Sequence, residues 1–402
     1  MPKIDCTGDN LIIFNDTRGQ TCNVCLSTGA VIGLSFHAET GLVSLVALLG
    51  LLYIIARNYY RNVHDPSLDS DSWRLFRGNV DILMLNLILA DIVMSFGAIS
   101  DIYWAHNRQV FCGSFCNAQG ILQTTGETAA ALSTLSVTLY TFFVIKTSRR
   151  PTYKPWYCLG VVLAIWLWVL LWSLLLARYE TGQDKDGKFL DAYTPTPWWC
   201  WINDRYLTER IVAEYMWLWI AGIFSIGLYV PAYYILRNQQ SKNRRSMVDN
   251  PDADRRSTAS SIDEENEAVK MLWYPMAYTF CVLPLSIIRW AGFAHPDVLK
   301  KPQVLPASMV FSSIFNLMGL INVLLIWWTR PAILLIDSDG CLSPADPRTA
   351  EKDEGIRMTT IIPPPRNMEL NARQNKRASA RRPRPAGNSF GGVGVGIPRD
   401  EV

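Results

Sequence analysis

The sequence predicts an all-α membrane protein: a bundle of seven transmembrane helices with its N-terminus outside and its C-terminus inside. Three observations carry that expectation. Apolar residues make up 50% of the 402-residue chain and collect in long runs, with the charges gathered between them. Each run reaches about 20 residues, the length at which a helix rising about 1.5 Å per residue crosses the hydrocarbon core. Lys and Arg crowd alternate connections, the asymmetry that sets orientation in a bilayer.

The seven runs cover residues 32–56, 80–104, 116–145, 156–177, 212–236, 269–293 and 306–328. The opening MPKIDCTGDN lacks the basic stretch and apolar core of a signal peptide, so the first span is expected to act as the insertion signal. The third run is long and holds polar groups, as a helix buried among its neighbours would. The fourth is the least polar, with Trp166, Trp168 and Trp172 among Leu and Val, a composition suited to lipid. Residues 1–31 are expected to form an extracellular segment, 32–329 the bundle, and 330–402 a cytoplasmic tail. The tail and the third inner connection, 237–268, are polar and charged. Neither buries enough apolar surface to fold alone, so both are expected to be disordered.

In this orientation the inner connections carry Arg61, Arg74 and Arg77, then Lys146, Arg149 and Arg150, then Arg237, Arg244 and Arg245. The largest outer loop balances its bases with Asp184, Asp186, Asp191 and Asp204. Asn15 opens the sequon Asn15-Asp16-Thr17, a glycosylation candidate on the outer side. The net charge of +3 comes without a nucleic-acid motif, so the expected surroundings are membrane lipid, at the plasma membrane, and no nucleic acid.

Of nine cysteines, this topology places Cys6, Cys22, Cys25, Cys112, Cys116 and Cys200 on the oxidising side, where disulfides persist. Six cysteines allow fifteen pairings. Cys116 opens the third span and Cys200 lies in Trp198-Trp199-Cys200-Trp201, so a bridge between them would pin a long loop over the bundle. Cys112 is the alternative partner for Cys200, and the pairing of Cys6, Cys22 and Cys25 stays open. Cys158 and Cys281 read as packing residues. Cys341 is either a lipid attachment point or an unmodified tail thiol.

Polar groups at bilayer depth are costly and tend to mark function. Asp91 and Asn86 lie in the second span, Gln119, Gln123 and Glu127 in the third, Glu214 in the fifth, Arg289 in the sixth, and Asn316 and Asn322 in the seventh. Such groups must find one another inside the bundle. Asn86, Asp91, Asn316 and Asn322 are expected to form one polar network, with Asp91 either a switch or a static core residue. Gln119, Gln123, Glu127, Glu214, Arg289 and Trp201 are candidate ligand contacts in the outer half, beneath 198–202. For Arg289 and Glu214 the plainer reading is a side chain reaching back to the interface. Pro284 should kink the sixth span, because proline removes one donor and clashes with the preceding turn.

Several segments together resemble one family. They are Leu85-Asn86-Leu87-Ile88-Leu89-Ala90-Asp91, Cys116-Asn117-Ala118-Gln119-Gly120, Trp199-Cys200-Trp201-Ile202, Trp273-Tyr274-Pro275-Met276-Ala277-Tyr278 and Gly319-Leu320-Ile321-Asn322. In order and position they resemble the slime-mould cyclic-AMP receptors and the related fungal glucose- and nutrient-sensing G-protein-coupled receptors. The resemblance covers the bundle but not the third inner loop or the tail. It implies a Cys116–Cys200 bridge, an extracellular small-molecule ligand, a heterotrimeric G protein inside, and no cofactor or catalytic residue. The Leu85–Asp91 stretch also resembles rhodopsin-like receptors, but the rest of that pattern fails. Tyr140-Thr141-Phe142 stands where Asp/Glu-Arg-Tyr would close the third span, Val323 follows Asn322, and Cys281-Val282-Leu283-Pro284 lacks the tryptophan.

Rival readings are weaker. A retinal protein needs a lysine deep in the seventh span, whereas Lys300 and Lys301 lie at its end. His37, His64, His106 and His295 are scattered, so no metal site is expected. A small-solute transporter is the alternative function, although no repeat of three helices is visible. Lys146, Arg149, Arg150, Arg237, Arg244 and Arg245 are candidate G-protein contacts, or serve only to set topology. Thr258 and Ser379 each follow a basic pair, in Arg255-Arg256-Ser257-Thr258 and Lys376-Arg377-Ala378-Ser379, and are candidates for a regulatory kinase.

Overall fold

The computed structural model describes residues 6, 12–15, 21–64, 79–147, 155–179, 191–196, 198–249, 270, 272–294 and 304–329, all within the compact unit Met1–Cys341. The first span is Thr28–Val63, capped by the Ser27 hydroxyl, which accepts from the Ala30 N–H at 3.3 Å. The second runs Asn79–Ile99 and resumes after Ser100 as the short helix Asp101–Asn107. The third is Ser114–Thr147 and the fourth Pro155–Tyr179. The fifth begins as Leu207–Arg210, passes through a π-helical turn, Ile211–Tyr215, and continues as Met216–Asp249. The sixth is Trp273–Ala294, with Pro284 inside it. The seventh is broken at Leu317 into Val304–Asn316 and Met318–Thr329. All the spans except the sixth are long and apolar enough to cross a membrane by length and composition.

Four spans depart from the sequence expectation: the first runs on past residue 56 to Val63, the second ends at Ile99 and resumes as Asp101–Asn107, and the fifth and seventh differ most. The fifth helix does not stop near residue 236 but continues to Asp249, into the connection expected to be disordered. Apolarity ends where the bilayer would end, yet Gln, Lys, Arg and Met sustain a helix without it, until Asn250-Pro251 follows. The seventh was expected to be continuous. Its break has a local cause: Ser44 of the first span donates to the Asn316 carbonyl at 2.6 Å and accepts from the Leu320 N–H at 3.4 Å. One hydroxyl thus stands between two groups that an unbroken helix joins directly.

Glycines set how closely the spans approach. A Cβ at Gly126 of the third span would strike the backbone of Met94 in the second. A Cβ at Gly97 would meet the Gln123 backbone at 3.2 Å, so the second and third spans touch at two levels. The fourth span is the least enclosed, with Leu163, Leu167, Leu170, Leu171 and Leu174 exposed on its surface.

Both sheets lie at one end of the bundle. Strands β1 (Ile12–Asn15), β2 (Thr21–Cys25) and β3 (Gln109–Phe111) form an antiparallel sheet in that order, and β4 (Tyr193–Pro195) pairs with β5 (Cys200–Ile202). Three disulfides tie this end together: Cys6–Cys25, Cys22–Cys112 and Cys116–Cys200. Cys112 is therefore not the partner of Cys200. Cys158 and Cys281 are free and buried in their helices.

Candidate ligand-binding site

The β4–β5 hairpin forms a floor over the bundle at its disulfide-bonded end. Cys200 is bonded to Cys116 at the start of the third span, with their Cα atoms 5.2 Å apart. One turn further along, Gly120 leaves room for the Tyr193 ring, which a Cβ there would overlap. Trp198, Trp199, Trp201 and Ile202 are all buried beneath the loop backbone.

Below them lies a cluster of charged and aromatic groups. The π turn of the fifth span adds a residue to the helical repeat and places Glu214 and Tyr215 inside the bundle, both buried. Thr128 of the third span caps that turn by donating to the Ala213 carbonyl at 3.0 Å. The Trp201 indole N–H donates to Glu214 Oε2 at 2.8 Å. Glu127, from the third span, lies within hydrogen-bonding reach of Glu214. Arg289 donates to the Tyr215 hydroxyl at 3.2 Å, and its guanidinium sits 4.9 Å from the Trp199 ring centre and 5.2 Å from that of Trp201. Arg210 lies 4.6 Å from the Trp201 ring centre and donates to the Ile202 carbonyl at 2.7 Å. Two carboxylates side by side repel when both are ionised. The two arginines offset that repulsion, and the aromatic faces favour the cations.

The structure thus brings together Glu127, Glu214, Arg289 and Trp201. Gln123 is buried in the wall between the second and third spans. Gln119 does something else. Its Oε1 accepts from the Trp104 indole at 2.6 Å and from the Cys200 N–H at 3.1 Å, while its Nε2 donates to Asp101. With both ends of its amide engaged, it supports the floor rather than facing a ligand.

The expected single polar network is three separate ones. Asn322 Nδ2 donates to Asp91 Oδ2 at 2.7 Å, joining the second and seventh spans. Asn86 instead donates to Ser133 Oγ at 2.7 Å and accepts from the Trp166 indole at 2.8 Å, tying the second, third and fourth. Asn316 faces the first span, with Nδ2 2.6 Å from His37 Nε2. Each amide takes the partner on its own helix face, which residue depth alone does not reveal. Replacing Asp91 by Asn should leave the fold intact. An amide at this position keeps an oxygen to accept from Asn322, and a neutral hydrogen bond is worth about 0.5–1.5 kcal/mol, so the loss is about 1 kcal/mol at most. Signalling should change by more than that. A melting temperature in detergent that collapses on Asp91→Asn would show a structural residue instead of a switch.

Sequence reasoning passed over Asp101, Arg210 and Tyr215, read His37 only as one of four scattered histidines, and named Trp199 only as part of the loop motif. His37 looked isolated because its partners are far away in sequence. A spacing of seven puts His37 and Ser44 on one face of the first helix, and that was the available signal. Lys146 and Arg237 lie exposed toward the other end of the bundle. Asn15 lies in β1, and Arg244 and Arg245 in the fifth helix, but their side chains fall outside the described residues, as do Arg149, Arg150, Thr258, Ser379 and Cys341 altogether.

Comparison with known proteins decides the class. The 7 transmembrane receptor (rhodopsin family) profile matches residues 74–325. No curated protein matches the chain by sequence. Among solved structures, squid rhodopsin superposes with a TM-score of 0.55 at 13% identity, over 83% of this chain and 93% of that one, which establishes the shared fold. The transporter alternative gives way to the family match. The similarity to slime-mould cyclic-AMP receptors continues to rest on the motifs alone. With more than half of its length matched, this chain belongs to the rhodopsin family of seven-transmembrane receptors.

Proposed function

We propose that the protein is a plasma-membrane receptor that binds a small polar extracellular ligand beneath the β4–β5 floor and activates a heterotrimeric G protein at the opposite end. The observation that supports this reading is the group Glu127, Glu214, Arg289 and Trp201, held under a disulfide-tethered loop. Enclosed sites with a few converging polar groups suit small ligands. The family carries the G-protein assignment. The motif resemblance favours a nutrient-like ligand and an output into cyclic-AMP signalling. Lys146 and Arg237, with Arg149, Arg150, Arg244 and Arg245, are the basic residues proposed to meet the G protein, and Thr258 and Ser379 the sites at which a kinase would damp it.

The test is a panel of sugars, amino acids and nucleotides, cyclic AMP among them, scored by nucleotide exchange on purified heterotrimers. For any active compound, Glu127→Gln, Glu214→Gln and Arg289→Ala should each lower potency by about 10- to 100-fold, the equivalent of one charge-assisted hydrogen bond. Unchanged potency in all three variants removes the site.

A further inference from the structure

His37 sits three turns into the first span, 2% exposed, and takes no part in the ligand cluster. Each of its ring nitrogens has a close polar neighbour. Nδ1 lies 2.7 Å from Asp101 Oδ2, and Nε2 lies 2.6 Å from Asn316 Nδ2. The ring stacks against Trp199 at 5.5 Å, with an interplanar angle of 6°. Asp101 also accepts from Gln119, which holds the Cys200 N–H. Asn316 is the last residue before the seventh-span break, and its carbonyl is held by Ser44, two turns along the same face of the first span as His37. The imidazole therefore joins the floor, the second-span extension and the break.

We propose that His37 is a proton-binding site, through which acidity at the disulfide-bonded end is transmitted to the break in the seventh span. The chemistry follows from the donor inventory. With the Asn316 amide nitrogen set toward Nε2, the matching tautomer is the neutral ring with its proton on Nδ1, beside the Asp101 carboxylate. A proton arriving at Nε2 turns that acceptor into a donor. The Asn316 amide must then rotate to present Oδ1, or leave. The new charge is accommodated because Asp101 already faces the ring. The step consumes one proton and needs no other reactant.

Among the described residues, few other charges face this ring. The seventh span, Val304–Asn316 and Met318–Thr329, contains no titratable residue. The second span contributes Asp91, which is bonded to Asn322, and its extension contributes Asp101 and the exposed His106. On the first span itself Glu39 is exposed. Arg289 reaches the ring's surroundings only through Trp199. Histidine is the side chain whose charge ordinarily changes between about pH 5 and 8.

The experiment needs neither ligand nor G protein, so its failure is separable from that of the receptor reading. Full-length protein in lipid nanodiscs, ¹⁵N-labelled at histidine, reports the protonation state of the ring. A ¹⁹F label at Leu324→Cys, in a Cys341→Ser background, reports the second half of the seventh span. On acidification the His37 ring should take up a proton at Nε2, and the fluorine signal should shift with it. His37→Gln should abolish the fluorine shift. Asn316→Asp, whose carboxylate accepts from Nε2–H throughout, should hold the acid-form signal at every pH. A His37 ring that stays neutral down to pH 5, or a fluorine shift that survives His37→Gln, overturns the proposal. If His37→Gln fails to fold, the labelled parent and Asn316→Asp decide the question by the same signals.

Discussion

Valine at position 126 should cost the receptor about 3 kcal/mol or more and remove most of the folded protein from detergent extracts. Gly126 of the third span lies against Met94 of the second, and the nearest atoms to a Cβ there would be the Met94 backbone and Cβ. A flexible side chain could swing away, but a helix backbone cannot. Overpacking a close-packed interior costs about 1–3 kcal/mol where side chains absorb the strain, and more where they cannot. The two spans would have to part along their length, which also opens the contact of Gly97 with Gln123. In lipid, where packing rather than hydrophobic burial drives helix association, small residues at such contacts matter all the more. Gly160→Val, on the fourth span, is the matched control, since nothing lies within 4 Å of its Cβ position. Melting temperatures in detergent should fall sharply for the first and hardly move for the second. Equal melting temperatures would show that the second and third spans are not held together at this glycine.

The bundle was legible because a bilayer demands long apolar runs and little else in the sequence looks like them. Helix ends were not legible in the same way. Solvent does not forbid helix, so the fifth span carries on to Asp249 after its apolarity has ended. Its π turn and the break at Leu317 depend on neighbours, Thr128 in one case and Ser44 in the other, and no local signal announces either. The sheet β1–β3 was missed because its strands are three to five residues long and β3 pairs with β2 across nearly ninety residues of chain. In the candidate site, chemical type picked out buried residues that the fold brings together, Glu127, Glu214 and Arg289. Chemical type could not assign direction. Gln119 turned outward to the floor, Asn86 toward Trp166 and Asn316 toward His37, each by the angular position of one residue on its helix.

Cys200→Ser should abolish ligand response at any concentration, while Cys22→Ser should reduce stability comparably and leave potency nearly unchanged. The two bridges close loops of similar length, with sequence separations of 84 and 90. In the chain-entropy account each is then worth about 4.5 kcal/mol. That figure is an upper bound here, because inserted spans remain helical in the unfolded state and their chain is already constrained. The loops differ in what they position. Cys22–Cys112 holds the sheet β1–β3, which contributes no residue to the ligand cluster. Cys116–Cys200 holds β5, and with it Trp199 and Trp201, the rings over which Arg289 sits, and the indole N–H that donates to Glu214. Without the bridge, Gln119 and the packing of Tyr193 on Gly120 still tether the hairpin, but through contacts of about 1 kcal/mol each. Melting temperature and surface abundance should therefore fall alike in the two variants, and only exchange activity should separate them. Parallel losses of potency in both would mean that the floor acts as one unit with the N-terminal sheet, and that the cluster depends on the whole disulfide-bonded end.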